Sequence, residues 1–380
     1  MPETTFAKGL EGVIASESRV SRVDGDAGKL FYLGYSITDL VEHCDYEEVV
    51  YLLLYSKLPD PTQLEQFRKR MREARAIRPE IVEMVRRFPS SARPMELLQS
   101  SIAYLSGYGD SIDHHTGICD CTQTLHLIPQ LASVVAAAAR ATEGMSYVPP
   151  RDDLSHGANF LYMLRGEEPD EFEGKVMDHA LILHAEHGFN ASTFTARVVA
   201  STLSTCYSSI SAAIGALYGS LHGGANEAVV LMADEIGDVK SVGAYVNGKL
   251  DDHKKIPGMG HRVYHAKDPR AIIIEDYLKV LSERKSDFRY YDILKEVERV
   301  FRERMDEKGR PIYPNVDFFS GAVYSLLGIP NNLFTPVFSI SRVAGWLGHI
   351  LEQRRDNRIY RPKALYVGEN ERAFVPLGSR

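Results

Sequence analysis

Cysteine is scarce in this chain: Cys44, Cys119, Cys121 and Cys206 are the only four in 380 residues. So few in so long a chain make no disulfide framework, and Cys119-Asp-Cys121 matches no zinc spacing. They read as reduced and structural. Long apolar runs are missing too. The longest, Leu131 to Ala139, falls far short of the roughly 20 residues that span a bilayer. The opening residues carry acids and lack an apolar centre, so no signal peptide is expected. A basic excess is absent: the formal net charge is −7. That excludes broad nucleic-acid binding and an anionic membrane surface as the main partner. Any anionic ligand would need local positive clusters. Repeats, heptads and low-complexity runs are also lacking. What is present is ordinary globular composition, 44% hydrophobic and 25% charged, in a chain long enough for about two domains. A soluble, cytoplasmic protein is expected.

Most of the chain reads as helix. Lys29 to Tyr35, after an Asp24-Gly25 turn, suits a short strand or hairpin. Asp45 with Glu48 forms a capping-box pattern. Pro61, Pro79 and Pro94 each open an apolar-periodic segment, where a missing N–H costs little. Helical patterns follow over 123–142, 175–200, 226–236, 270–282, 291–307, 318–327 and 336–353. The Ser/Thr-rich run 201–211 and the small residues up to Gly223-Gly224 interrupt them. Residues 106–122, with Asp113-His114-His115, have loop composition and no assignable role. The tail from Arg358 reads as an extended polar arm. A second domain, if there is one, lies inside the chain near the joint at 223–224.

Histidine carries the chemical signal. His184 and His187 are spaced to share one helix face. His222 precedes Gly223-Gly224 and a helix, where the positive end of the dipole favours neutral imidazole. A neutral histidine can donate a hydrogen bond to a forming enolate; an incidental turn histidine is the plain alternative. His261 sits in Pro257-Gly-Met-Gly-His-Arg262, where glycines let backbone approach a ligand. This is neither a Walker loop nor a dinucleotide fingerprint. Asp268-Pro-Arg270 caps a helix but puts an arginine in its first turn, against the dipole. Carboxylate binding would explain that; so would a simple surface position. Asp317, between Val316 and two phenylalanines, is expected to have a raised pKa, as a general base needs, or to serve as a helix N-cap. Arg342 lies in an apolar helix and needs a partner or a ligand. Arg361, in the polar arm, could reach another subunit.

In order and spacing these segments resemble the citrate synthase family, of the short bacterial and archaeal type. The resemblance rests on Leu183-His-Ala-Glu-His-Gly-Phe-Asn-Ala-Ser-Thr193, Leu221-His-Gly-Gly-Ala-Asn-Glu227, Pro257-Gly-Met-Gly-His-Arg262 with Asp268-Pro-Arg270, Pro314-Asn-Val-Asp-Phe318, and Ser341-Arg-Val-Ala-Gly-Trp346 followed by Arg361-Pro362. It runs from about Gly9 to Gly368.

The resemblance implies a mainly α, two-domain homodimer with a small β element near the N-terminus. Residues 1–223 and 326–380 would form the large domain and 224–325 the small one. The implied reaction condenses acetyl-CoA with oxaloacetate and hydrolyses citryl-CoA to citrate and CoA, a step of the tricarboxylic acid cycle. Asp317 would be the base, His222 the enolate stabiliser and His261 the acid at the oxaloacetate carbonyl. His187, Arg270, Arg342 and Arg361 would bind oxaloacetate, Arg361 from across the interface. Ile256, Pro257, Gly258, Met259 and Gly260 would wrap the CoA adenine. CoA thioester enters as a co-substrate, with no permanent cofactor and no metal.

The nearest rival is a 2-methylcitrate synthase using propionyl-CoA, or dual activity, since one methylene is worth only about 1–3 kcal/mol of discrimination. More distant rivals are a metal-dependent hydrolase with His184, His187, His222 and Asp317 as ligands, and a non-catalytic helical scaffold. The His-Ala-Glu-His spacing departs from the zinc-protease pattern, and the intact His222, His261 and Asp317 set argues against a scaffold.

Overall fold

The structure, a computed structural model, describes residues 6–108 and 121–380. Its one sheet among the described residues is a three-stranded antiparallel meander near the N-terminus: β1 (Ser21–Asp24), β2 (Lys29–Tyr32) and β3 (Tyr35–Ser36). Arg22 pairs with Phe31, and Tyr32 with Tyr35. The hairpin expected over 29–35 is therefore β2–β3. The polar β1 gave no strand signal of its own.

The rest of the regular structure is helical. α1 (Ile37–His43) leads into α2 (Tyr46–Tyr55), which starts at the Asp45/Glu48 capping box. α3 (Pro61–Glu73), α4 (Pro79–Arg87) and α5 (Pro94–Leu105) each open on proline, as expected. α6 (Cys121–Thr142) and α7 (His156–Arg165) follow. Asp113-His114-His115 and Cys119 lie outside the described residues.

The helix expected over 175–200 is two helices, α8 (Glu171–His184) and α9 (Ala191–Ser201). Gly188 takes φ +64 in the link, a conformation that favours glycine. The Asn190 side chain then caps α9 by accepting from the Thr193 N–H at 3.0 Å. His184 and His187 therefore do not share a helix face: His184 ends α8 and His187 lies in the link.

The Ser/Thr-rich run contains α10 (Cys206–Tyr218), capped by Thr205. Its small buried residues, Ser209, Ala213 and Cys206, suit the close packing it makes on α9 and α5. Beyond it lie α11 (Ala225–Ile236), α12 (Val242–Asp251), α13 (Pro269–Lys285), α14 (Arg289–Asp306) and α15 (Asp317–Leu326). These five pack largely on one another, α13 and α11 against α15, and α12 against α14. α16 (Phe334–Arg355) is the central helix, packed by α2, α6, α8, α9 and α10. Being enclosed all round, it has no polar face to show; Trp346 is fully buried at its middle. After Arg355 the chain is an exposed arm with only a short 3-10 turn at Leu377–Ser379. No helix among the described residues is long and apolar enough to cross a membrane.

Candidate active site

The site is built where the α8–α9 link, the turn before α11, the loop before α13 and the start of α15 converge on α16. The link is held from behind by the sheet. Tyr32 Oη lies 3.0 Å from the Ile182 carbonyl and 2.9 Å from that of Glu186. Ser21 Oγ accepts from the Gly188 N–H at 3.0 Å and donates to Glu186 Oε1 at 2.9 Å. His187 thereby sits with its ring 5.1 Å from that of His261, and Nε2 3.3 Å from Tyr264 Oη. Burial, with Arg270 nearby, pushes its pKa well below the ordinary value.

Arg342 is 2% exposed. Its Nε donates to the His184 carbonyl at 2.7 Å, and its guanidinium lies 4.6 Å from the Phe338 ring centre. Burial lowers its pKa to about 10, and Glu186 is the strongest opposing charge acting on it. No carboxylate among the described residues forms an ion pair with it.

His222 sits three residues before α11 and faces the start of α9. The Ser192 N–H donates to its Nε2 at 3.3 Å, and Ser192 Oγ lies 2.9 Å from the same nitrogen. Trp346 Nε1 in turn donates to Ser192 Oγ at 3.2 Å. A nitrogen that accepts an N–H carries a lone pair, so the imidazole hydrogen is on Nδ1. Burial, then Arg342, lower the pKa to about 4, which keeps the ring neutral.

His261 has the opposite tautomer. Its Nδ1 accepts from the Val263 and Tyr264 N–H groups at 3.0 and 3.1 Å, so its hydrogen is on Nε2. Burial, then Arg270, lower its pKa to about 4. The β1–β2 turn holds this loop: the His265 N–H donates to the Gly25 carbonyl at 3.0 Å. A Cβ on Gly25 would lie 2.0 Å from the Val263 oxygen, so only glycine permits this approach.

Arg270 is 3% exposed, which disposes of the surface reading. Asp268, the N-cap of α13, grips it from two sides, Nε to Oδ1 at 3.0 Å and Nη2 to Oδ2 at 2.7 Å. The same Oδ2 accepts the Val316 N–H at 3.2 Å. One buried carboxylate thus fixes both the arginine and the residue before Asp317.

Asp317 is the first residue of α15, not its cap. Asn315 takes the capping part, its Oδ1 accepting the Asp317 N–H at 3.0 Å. The Asp317 carboxylate has no hydrogen-bond or ion-pair partner among the described residues, and burial raises its pKa to about 6. The loop Ile256 to Gly260 is stitched to the same approach segment. The Asn315 N–H donates to the Gly258 carbonyl at 3.0 Å, the Gly260 N–H to the Tyr313 carbonyl at 2.9 Å, and Asn315 Nδ2 to the Gly260 carbonyl at 2.8 Å. Gly258 has φ +73, and a Cβ there would meet Phe318 Cα and Val229 at 2.8 Å.

His187, His222, His261, Arg270, Asp317 and Arg342 are thus brought together. Arg361 is not: it lies exposed in the arm, and among the described residues it has no hydrogen bond or ion pair. His184 is fully buried with Nδ1 2.8 Å from the Ala180 carbonyl. No three His, Cys, Asp or Glu side chains among the described residues are placed to hold a metal. Sequence reasoning passed over Ser192, Asp268 as a clamp, Asn315, Tyr264 and Glu186. Only Asp268 carried a signal, as the cap before an unexplained arginine.

Two neutral histidine donors, one free carboxylate and two buried arginines define an acid–base enzyme for a small anionic substrate. Likeness to known proteins narrows that class. The family model for the citrate synthase C-terminal domain matches residues 9–363. A citrate synthase of Deinococcus radiodurans is 43% identical, with 99% of this chain and 100% of that protein covered. A 2-methylcitrate synthase of Shewanella oneidensis is 38% identical, with 98% and 97% covered. Among solved structures, the citrate synthase of Thermoplasma acidophilum, in ternary complex with carboxymethyl coenzyme A and oxaloacetate, superposes with a TM-score of 0.92. It is 34% identical, with 98% of this chain and 99% of that one covered. The chain belongs to the citrate synthase family, and its fold is the mostly helical fold of that family. It is an acyltransferase.

Proposed function

We propose that this acyltransferase condenses acetyl-CoA with oxaloacetate and hydrolyses the citryl-CoA formed, with the residues above in the following roles. Asp317 removes a proton from the thioester methyl group. His222 Nδ1–H donates to the thioester oxygen as it gains enolate character. The enolate carbon attacks the oxaloacetate ketone carbon, while His261 Nε2–H donates to the ketone oxygen as it becomes a hydroxyl. Water then cleaves the thioester, releasing citrate and CoA. The observation that carries this reading is the pair of opposite tautomers. Each histidine is tied to backbone N–H through one nitrogen and keeps its hydrogen on the other. Donors fixed in this way stabilise developing oxyanions without reorganising.

His187, Arg270 and Arg342 bind oxaloacetate in this reading, and Ile256 to Gly260 wrap the CoA adenine. The charge balance supports a homodimer. Within one subunit Arg270 is matched by Asp268, and Glu186 offsets Arg342. A dicarboxylate therefore needs further positive charge, and Arg361 from a second copy of the chain supplies it. The exposed arm, with Ile359, Leu365, Tyr366 and Val367 outward, suits such an exchange. Residues 224–325 act as a small domain that closes on the large one formed by 1–223 and 326–380, excluding water. That boundary falls at the end of α15.

The test is CoA release with oxaloacetate, comparing kcat/KM for acetyl-CoA and propionyl-CoA. A preference for acetyl-CoA is expected. A preference for propionyl-CoA would make the enzyme a 2-methylcitrate synthase with the same residues in the same roles, and release with neither would refute the reading.

A further inference from the structure

Glu186 is a buried carboxylate beside a site that must bind a dianion, which is electrostatically the wrong sign. It is fully buried. Its Oε1 accepts from Ser21 Oγ at 2.9 Å and from His349 Nε2 at 3.1 Å. The second contact has a defined direction. His349 Nδ1 lies 3.2 Å from Arg197 Nη1, and a guanidinium can only donate, so the His349 hydrogen is on Nε2. Arg197 itself is paired with Glu352 at 2.6 Å, so little of its charge is left for Glu186. The other carboxylate oxygen, Oε2, has no partner among the described residues. It lies over Gly345 of α16, where an added Cβ would come within 2.4 Å of it. Gly345 is three residues after Arg342. Burial pushes the Glu186 carboxyl up, but His349, Arg342 and Ser21 together hold it below the ordinary range.

Leaving a carboxylate oxygen unpaired in the interior is costly, so fastening alone does not account for it. A glutamine could take the same two donors at Oε1. What a glutamine would lack is the negative charge at Gly345, about one turn along α16 from Arg342, on which that charge acts.

We infer that Glu186 is a positioning residue for the condensation: it holds the His187 link in place through Ser21, and its charge moderates the grip of Arg342 on oxaloacetate. The inference rests on the roles proposed above for His187 and Arg342. Ground-state binding that is too strong adds nothing to the barrier reduction and slows turnover once substrate saturates. A buried counter-charge near one of the two binding arginines trims that binding while leaving the arginine in place.

The experiment measures oxaloacetate affinity by calorimetry on the CoA-free enzyme, together with kcat and Tm, for four variants. Glu186→Gln is expected to bind oxaloacetate at least roughly tenfold more tightly, the effect of removing one unit charge within about 12 Å of the bound dianion at an effective dielectric near 20, with kcat lowered. Glu186→Asp keeps the charge and should show no tightening. Ser21→Ala keeps the charge but removes the acceptor for the Gly188 N–H. It should raise the oxaloacetate KM several-fold, the loss of about one hydrogen bond, with Tm nearly unchanged. Unchanged or weaker binding by Glu186→Gln would show a merely structural carboxylate and overturn the inference. If that variant does not fold, an unchanged KM in Ser21→Ala overturns it alone. Arg342→Lys is the control: if oxaloacetate binding does not weaken there, the site assignment has failed instead.

Discussion

Replacing Asp317 by asparagine should make the protein more stable and nearly inactive at once. Burial raises the Asp317 carboxyl from 3.8 to about 6. The charged form is therefore disfavoured in the folded state, by about 1.36 kcal/mol for each pH unit that separates the folded and unfolded pKa values. A separation of about two pH units amounts to about 3 kcal/mol at most. The sign follows from linkage. Above about pH 6 the carboxyl is ionised both folded and unfolded, and the folded state bears the full penalty. As pH falls from about 6 toward 4 the folded form takes up its proton first and the penalty fades; below the unfolded pKa it is gone. Asparagine is neutral and never incurs it. At pH 8 the variant should thus melt several degrees higher than the wild type, at roughly 2 °C per kcal/mol for a chain of this size. Near pH 4 the two should melt together. Turnover at pH 8 should fall by about 10²–10⁴-fold, the range that general base catalysis contributes. Oxaloacetate affinity should remain near normal. Calorimetric scans at the two pH values and a CoA-release assay would check all three. An advantage that is absent at pH 8, or equal at both pH values, would refute the assignment of burial as the cause. Near-normal turnover would refute the assignment of the base.

Two other substitutions probe the remaining parts of the site. Asp268→Asn keeps one acceptor for Arg270 but loses those for Arg270 Nη2 and the Val316 N–H. Leaving a buried charge without its counterpart costs about 3–5 kcal/mol, so the variant should melt markedly lower, with a raised oxaloacetate KM and a lowered kcat; scanning calorimetry and initial rates report both. In the proposed dimeric reading, Arg361→Ala should weaken oxaloacetate binding while sedimentation still gives a two-subunit mass for wild type and variant alike; a one-subunit mass for the wild type would refute that reading.

Local chemistry makes much of this molecule legible in its sequence. Capping boxes and prolines mark their helices because they act within a few residues, and α2, α3, α4 and α5 start where those signals stand. The break between α8 and α9 has a local signal in Gly188 and Asn190, a helix stop followed by an N-cap residue, but the apolar residues on either side run on at helical spacing and mask it. The positive φ of Gly188 and the cap by Asn190 settle it in the structure. α10 was hidden for a related reason: close packing on α9 and α5 selects small residues, and Ser and Ala there imitate a loop. In the site, the histidines, arginines and Asp317 stood out as residues poorly explained by folding. Ser192 and Asn315 did not, because their work is done across the fold, on His222 and on the Gly258–Gly260 backbone. No sequence spacing records a partner 30 or 55 residues away.

The stitching of Ile256–Gly260 to Tyr313–Asn315 couples two things that chemistry would allow to be separate. In the proposed reading, the loop holds the far end of the thiol carrier, while Asn315 sets the direction of the group that touches its reactive end. Grip on the handle and aim at the warhead therefore belong to one rigid body, and selection cannot retune either alone. An exchange that fits a different nucleotide head would also turn the base. By contrast, the 52 residues between these two segments, from His261 to Ile312, leave and return at fixed anchor points. The surface turn at Gly309, where an added Cβ would meet nothing within 4 Å, is free to drift. Relatives should accumulate their length differences there, and keep the two anchored strips in step.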